Sequence, residues 1–260
     1  MVTQELDGRK AVVTGASKGI GLAVAQAIAD AGAHVFVGSR SSSPGLDVLV
    51  KDGKVSWVQA DLTEPDGRAR LVAAAGDRVD ILVNNVGSAP ARPGGFLGVT
   101  DEQWQRTLEL NLLVPVAVTR AVLPGMLQAG RGCIVNIGSV NAVLPDPLVI
   151  DYSAAKAALL SFSKALSKEV GGRGVRVNSV SPGPVETELW LGDGGVADTV
   201  SDAAGIAPGD VVAQAAGATV SGRFSRPSEV ADIVVFLAGD RAANVMGSNF
   251  TVDGGFIPTM

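Results

Sequence analysis

The sequence predicts an α/β fold: a single domain, 1–260, on a doubly wound, mostly parallel seven-stranded sheet with helices on both faces. Three observations carry this. Short apolar runs alternate with helical stretches along the chain, the pattern of a parallel sheet covered on both sides. Two of those runs, Ile81-Leu82-Val83 and Cys133-Ile134-Val135, are continuously apolar, as strands buried on both faces require. The 260 residues are 47% hydrophobic, ample for one buried core. No internal repeat or linker interrupts them, and Gly and Pro fall at turns between elements.

The first strand is expected over 11–14. It runs into Thr14-Gly15-Ala16-Ser17-Lys18-Gly19-Ile20-Gly21, and residues 22–29 then carry apolar side chains at helical spacing. Strand, glycine loop and helix open a dinucleotide-binding unit. The glycines permit a tight turn and close approach to a pyrophosphate, and the helix amino end offers free N–H groups to it. The glycine spacing differs from G-x-G-x-x-G. A second strand over 34–38 ends in Ser39 and Arg40, and a third over 56–59 precedes Asp61 and Leu62. A hydroxyl and a guanidinium at a strand end can bond a phosphate, the guanidinium through two parallel N–H groups, with Lys18 a further cation nearby. The fourth strand, 81–84, leads into Asn85, Val86 and Gly87. Asn111, within 108–114, is awkward as plain core because a buried amide needs partners.

The fifth strand, 133–137, is followed by Ser139. Thirteen residues later comes Tyr152-Ser153-Ala154-Ala155-Lys156. Four residues along a helix place phenol and ammonium on one face, about 6 Å apart along the axis. A free tyrosine titrates near ~10, and a neighbouring ammonium is expected to lower that value. Ser, Tyr and Lys together can hold and protonate a carbonyl oxygen. Tyr-x-x-x-Lys alone describes many solvated helix faces; its weight here comes from the glycine loop at the other end of the chain. The sixth strand, 176–181, leads into Pro182-Gly183-Pro184-Val185-Glu186-Thr187. Residues 189–225 break the rhythm, rich in Gly, Ala and Asp, and a connection this long is usually functional or mobile. A seventh strand over 249–252 closes the domain.

These motifs, in this order, resemble the short-chain dehydrogenase/reductase family, and the chain is similar to its 3-oxoacyl-(acyl carrier protein) reductases over nearly its whole length. Thr14 to Gly21 resembles the family's T-G-x-x-x-G-x-G loop, Asn84 to Gly87 its N-N-A-G with Val86 in place of alanine, and Val252-Asp253-Gly254-Gly255 its closing strand and turn. The resemblance implies a Rossmann-type sheet and a catalytic set of Asn111, Ser139, Tyr152 and Lys156. It implies cofactor contacts at Gly15, Ser17, Lys18, Gly19, Ile20, Gly21, Ser39, Arg40, Asp61, Leu62, Asn85, Val86, Gly87, Tyr152, Lys156, Pro182, Gly183, Val185 and Thr187. An acid stands at the position of Ser39 in NAD-preferring members, so its absence implies NADP(H). Residues 189–225 become a substrate lid of one or two small helices, with Trp190, Leu191, Val143, Leu144 and Leu148 able to line an apolar pocket. The implied activity is NADPH-dependent reduction of a ketone to a secondary alcohol. An NAD-linked alcohol dehydrogenase and a non-catalytic NADP-binding regulator are the competing readings.

The remaining features bound the class. The net charge of −5 gives no basic footprint for nucleic acid. Cys133 is the only cysteine, so no disulfide forms within the chain and a reducing, cytoplasmic setting is expected. The first seven residues carry no signal-peptide pattern, and no apolar run reaches spanning length free of Gly, Pro or charge. His34, the only histidine, is expected at the surface, and no cluster has metal-ligand spacing. The helix at Tyr152 continues through Ala155, Ala158, Leu159, Phe162 and Leu166, more apolar surface than one sheet face needs. Members of the family it resembles pair this helix with its copy, often doubled, so the resemblance implies a homo-oligomer, a tetramer or a dimer.

Overall fold

The computed structural model describes residues 5–258; residues 1–4, part of the stretch read as lacking a signal peptide, lie outside the described residues. Seven strands form one sheet: β1 (Lys10–Thr14), β2 (His34–Ser39), β3 (Val55–Gln59), β4 (Ile81–Asn84), β5 (Gly132–Ile137), β6 (Val175–Pro182) and β7 (Asn249–Val252). Their order is β3-β2-β1-β4-β5-β6-β7, and every pairing is parallel. The expected strands agree to within a residue, and the sheet is wholly rather than mostly parallel.

The strand residues divide by the two-residue period of the pleat. Ala11, Val13, Ile81, Val83, Cys133 and Val135 enter one core with Val24 and Ile28 of α1 (Gly19–Asp30). Val12, Leu82 and Ile134 enter the other. The remaining helices are α2 (Pro44–Lys51), α3 (Pro65–Ala75), α4 (Asp101–Leu108), α5 (Val114–Ala129), α6 (Ile150–Val170), α7 (Glu188–Leu191), α8 (Val196–Ala204), α9 (Pro208–Gly217) and α10 (Pro227–Ala238). Helices α1 and α10 cover the first face, whereas α3 and α5 cover the second. Because β1 lies between β2 and β4, the chain reverses its winding there, and loops diverge at the carboxyl ends of β1 and β4 to leave a crevice.

Three local features depart from expectation. Between α4 and α5 the helix widens into a π turn, Glu109–Leu113; such turns recur at functional sites. The stretch 189–225, expected to be a lid of one or two small helices, holds three short ones, α7 to α9. His34 is half-buried rather than at the surface, its Nε2 2.9 Å from Ser56 Oγ and its ring edge-on to Phe36 at 4.8 Å. The run Asp101–Ala129 is long and apolar enough to cross a membrane by length and composition. Here Val118, Val122 and Met126 of its α5 part are buried against the sheet, so it is a core helix.

Candidate active site

Four loops meet at the carboxyl ends of the central strands. Thr14 and Asn85 tie the first two together. Thr14 Oγ1 accepts from the backbone N–H of Asn85 (3.0 Å) and Val86 (3.1 Å). Asn85 Nδ2 donates to the carbonyls of Thr14 (3.0 Å) and Gly15 (2.9 Å). Gly21 makes this junction possible: a methyl group there would stand 2.4 Å from Asn85 Nδ2 and 2.6 Å from the Gly15 carbonyl. Asn85, expected among the cofactor contacts, thus holds the glycine loop in shape. Ser17 lends its carbonyl to the Ser43 hydroxyl, and Ile20 packs on the first core.

The amino end of α1 suits an anion. Its cap, Lys18, makes no side-chain capping bond, and the first turn carries no acid. The first N–H groups of a helix lack internal partners and carry the positive end of its dipole, so Gly19, Ile20 and Gly21 present donors that a dinucleotide pyrophosphate fits. Thr187, beyond β6, closes the loop from above: a methyl group on Gly19 would lie 3.4 Å from Thr187 Cγ2. Pro182 ends β6, the Gly183 N–H donates to the Val252 carbonyl at 3.0 Å, and Val185 bridges to Ser225. The stretch 189–225 therefore begins and ends beside one short segment.

The residues expected at an adenosine phosphate divide. Ser39 is buried and engaged, donating to the Ser41 carbonyl (2.8 Å) and accepting from Trp57 Nε1 (3.0 Å). Lys18 is exposed and paired with Glu188 at 2.5 Å. Arg40 is exposed beside Asp61, its guanidinium in no hydrogen bond or ion pair among the described residues. Asp61 caps its own turn, accepting from Thr63 Oγ1 (2.7 Å) and N–H (3.0 Å). These bonds, with a smaller contribution from the Arg40 charge, hold its carboxyl below the usual range. Leu62 is buried beside it.

Asn111, Ser139, Tyr152 and Lys156 come together. Asn111 is fully buried in the π turn. Its amide donates to the carbonyls of Ser88 (2.9 Å) and Thr107 (3.0 Å), and Oδ1 accepts from the Ser88 N–H at 3.3 Å. A methyl group on Gly87 would sit 2.6 Å from Asn111 Oδ1 and 3.5 Å from Lys156 Nζ, so amide and ammonium flank one point. Lys156 Nζ donates to the Ile137 carbonyl at 2.9 Å and lies 5.6 Å from the centre of the Tyr152 ring. Ser139 Oγ is held by Asn141 and bonds the Tyr152 hydroxyl.

Burial pulls the Lys156 ammonium down to about 8. The half-buried phenol departs from expectation. Burial pushes Tyr152 above its usual value, and the Ser139 hydrogen bond only partly offsets this. Desolvation of the phenolate thus outweighs the help expected from the neighbouring ammonium. A raised phenol is a proton donor rather than a standing base.

One constellation had no signal in the sequence. Asp151, next to Tyr152 and fully buried, accepts from Arg92 Nη2 (2.6 Å), Arg92 Nε (3.1 Å) and Thr107 Oγ1 (2.7 Å). Burial would raise its carboxyl, but the bonds from Arg92 and Thr107 leave it below the usual range. Arg92 sits in a Pro/Gly-rich loop, where neither periodicity nor spacing announces a partner.

Residues 15–257 match a family model described as enoyl-(acyl carrier protein) reductase. The chain is 35% identical over 259 residues to the 3-oxoacyl-[acyl-carrier-protein] reductase FabG of Vibrio cholerae, covering 96% of this chain and 98% of that one. It is 36% identical over 262 residues to D-threitol dehydrogenase of Mycolicibacterium smegmatis, covering 96% and 94%. Among solved structures, L-sorbose reductase of Gluconobacter frateurii, complexed with NADPH and L-sorbose, superposes with a TM-score of 0.89 at 33% identity, covering 99% of both chains.

Proposed function

The chain belongs to the short-chain dehydrogenase/reductase family of oxidoreductases, and on that premise we propose that it is an NADP(H)-dependent carbonyl reductase converting a ketone to a secondary alcohol. One observation carries the reading: the Tyr152 phenol, raised by burial, stands between Ser139 and Lys156 at the crevice of the sheet. The Ser139 hydroxyl would donate to the substrate oxygen and fix the carbonyl against Tyr152. Tyr152 would then give its proton to that oxygen. Lys156, titrating at about 8, can pass a proton back to Tyr152 at neutral pH, and Asn111 would link Lys156 to solvent. The glycine loop, the α1 amino end, Asp61-Leu62, Asn85 to Gly87, and Pro182 to Thr187 would hold the dinucleotide, with Arg40 on its adenosine phosphate. When bound, the reduced dinucleotide supplies a hydride to the carbonyl carbon; the protein supplies position and electrostatics.

The mouth of the site favours an apolar substrate body. Six of the eleven exposed large hydrophobic side chains among the described residues lie in three short stretches beyond β4, β5 and β6, the last of them α7: Phe96, Leu97, Val143, Leu144, Leu189 and Leu191. Such concentration marks a binding surface. NADPH consumption with apolar cyclic and long-chain ketones is expected to exceed that with ketoses by about tenfold or more in kcat/KM, since each buried methylene contributes roughly 0.8 kcal/mol. Faster turnover of ketoses contradicts the substrate class.

The engaged Ser39 supplies no ribose acceptor of the acidic kind, which argues against an NAD-linked alcohol dehydrogenase. The assembled Asn, Ser, Tyr and Lys argue against a regulator without chemistry. A cytoplasmic homo-oligomer fits the reading, but not for the reason given by helix periodicity. Ala155, Leu159 and Leu166 of α6 are buried within the protomer. The surface that suits a second copy is a depression of about 440 Å³ on the outer side of α6, lined by Pro145, Pro147, Ile150, Ala154 and Ala157 among others. Light scattering reads the mass of the assembly; a monomeric mass rejects a second copy at this surface.

A further inference from the structure

We infer that Arg92 and Asp151 are positioning residues: a buried clamp that seats the loop after β4 on the start of α6 and so keeps Tyr152 in register with Ser139. The inference rests on the proton-donor role proposed for Tyr152. Arg92 grips the chain entering α6 at two points. Its backbone N–H donates to the Leu148 carbonyl at 2.7 Å, and its guanidinium reaches Asp151 Oδ2 at 2.6 and 3.1 Å. The same Oδ2 takes the Thr107 hydroxyl at 2.7 Å, and the Thr107 carbonyl takes the Asn111 amide at 3.0 Å. One carboxylate oxygen therefore joins three segments near the catalytic set: the loop that follows Gly87, the last turn of α4, which runs into the π turn with Asn111, and the helix turn with Tyr152.

Stability is a weak reason for such a pair. The desolvation cost of a buried ion pair consumes most of its attraction, and apolar replacements of similar volume are often neutral or stabilising. Among the described residues Asp151 Oδ1 finds no hydrogen-bond partner, so the carboxylate is not arranged for maximal bonding either. The pair instead fixes direction. A guanidinium anchored by its own backbone can meet a carboxylate that has only one turn of helix to move in, and that carboxylate precedes the reacting phenol by one residue. Catalysis is sensitive to this kind of register; a shift of about 1 Å can cost on the order of a hundredfold in rate.

Four forms of the full chain test the clamp: the parent, Arg92→Gln, Arg92→Lys, and the apolar pair Arg92→Met with Asp151→Leu. The readouts are thermal midpoint, NADPH dissociation constant by fluorescence, and kcat and KM for a ketone. Arg92→Gln is expected to lower kcat by about tenfold or more, with NADPH affinity held within about twofold. Arg92→Lys, which keeps the charge but not the fork, should recover part of that loss. The apolar pair should match the parent in thermal midpoint without regaining kcat. Should Arg92→Gln fail to fold, the lysine variant and the apolar pair carry the comparison. A parental kcat in the apolar pair overturns the inference, because it leaves the clamp with a packing role alone. Undiminished turnover by Tyr152→Phe would instead reject the proton-donor assignment, whatever the clamp variants do.

Discussion

Tyr152→Phe is expected to lower turnover by about 10²–10⁴-fold, the usual contribution of a positioned proton donor, while NADPH binding stays within about twofold of the parent. The substitution deletes one hydroxyl from a half-buried ring and leaves the ring's contacts in place. That hydroxyl bonds Ser139 in the resting protein, and its proposed service falls in the transition state, so the loss belongs in kcat and kcat/KM together. Lys156 gives the loss a second signature. Its ammonium, lowered to about 8 by burial, keeps its bond to the Ile137 carbonyl in the variant, so its ionisation should persist after the chemistry is gone. Steady-state kinetics with a fluorescence titration of NADPH check both parts. Near-normal turnover removes Tyr152 from the mechanism.

The second large effect concerns the cofactor. Arg40→Ala should weaken NADPH by about ten- to a hundredfold in its Michaelis constant and leave NADH nearly unchanged, the value of one charge-assisted contact to a phosphate. Three side chains stood for this task in the sequence, and the structure ranks them. Ser39 is engaged by Ser41 and Trp57, and Lys18 is paired with Glu188 at the start of α7. Arg40 alone of the three is exposed with an uncommitted side chain. Lys18→Ala should therefore cost less than Arg40→Ala, because Lys18 must first leave Glu188. Equal use of NADH and NADPH by the parent shows that Arg40 faces solvent in the working protein.

The sheet was legible in the sequence because a parallel strand buried on both faces must be apolar throughout, and a helix must then cross back over it. The short apolar run at Ile81–Asn84, set between turn residues and helical stretches, fits a buried strand better than a helix. The site was legible where its chemistry is local: glycines in one loop, and Tyr152 and Lys156 on one helix. What stayed hidden depends on distance in the chain. Arg92 and Asp151 are 59 positions apart, and a single arginine in a loop carries no period. The phenol's shift was misjudged for the same reason. The neighbouring ammonium is visible four residues away, whereas the burial that dominates it comes from packing. The third helix of the stretch 189–225 escaped because Gly- and Ala-rich sequence suits helix and loop alike.

The central claim, that this site delivers hydride to a ketone under protonation by Tyr152, is met most directly by isotope transfer. The protein is incubated with NADPH deuterated on the transferring face of the nicotinamide and an apolar ketone, and the product is read by mass spectrometry. The account predicts one deuterium on the carbinol carbon, formed with stoichiometric loss of NADPH and suppressed in Tyr152→Phe. An alcohol free of deuterium, or equal incorporation by the phenylalanine variant, would contradict it.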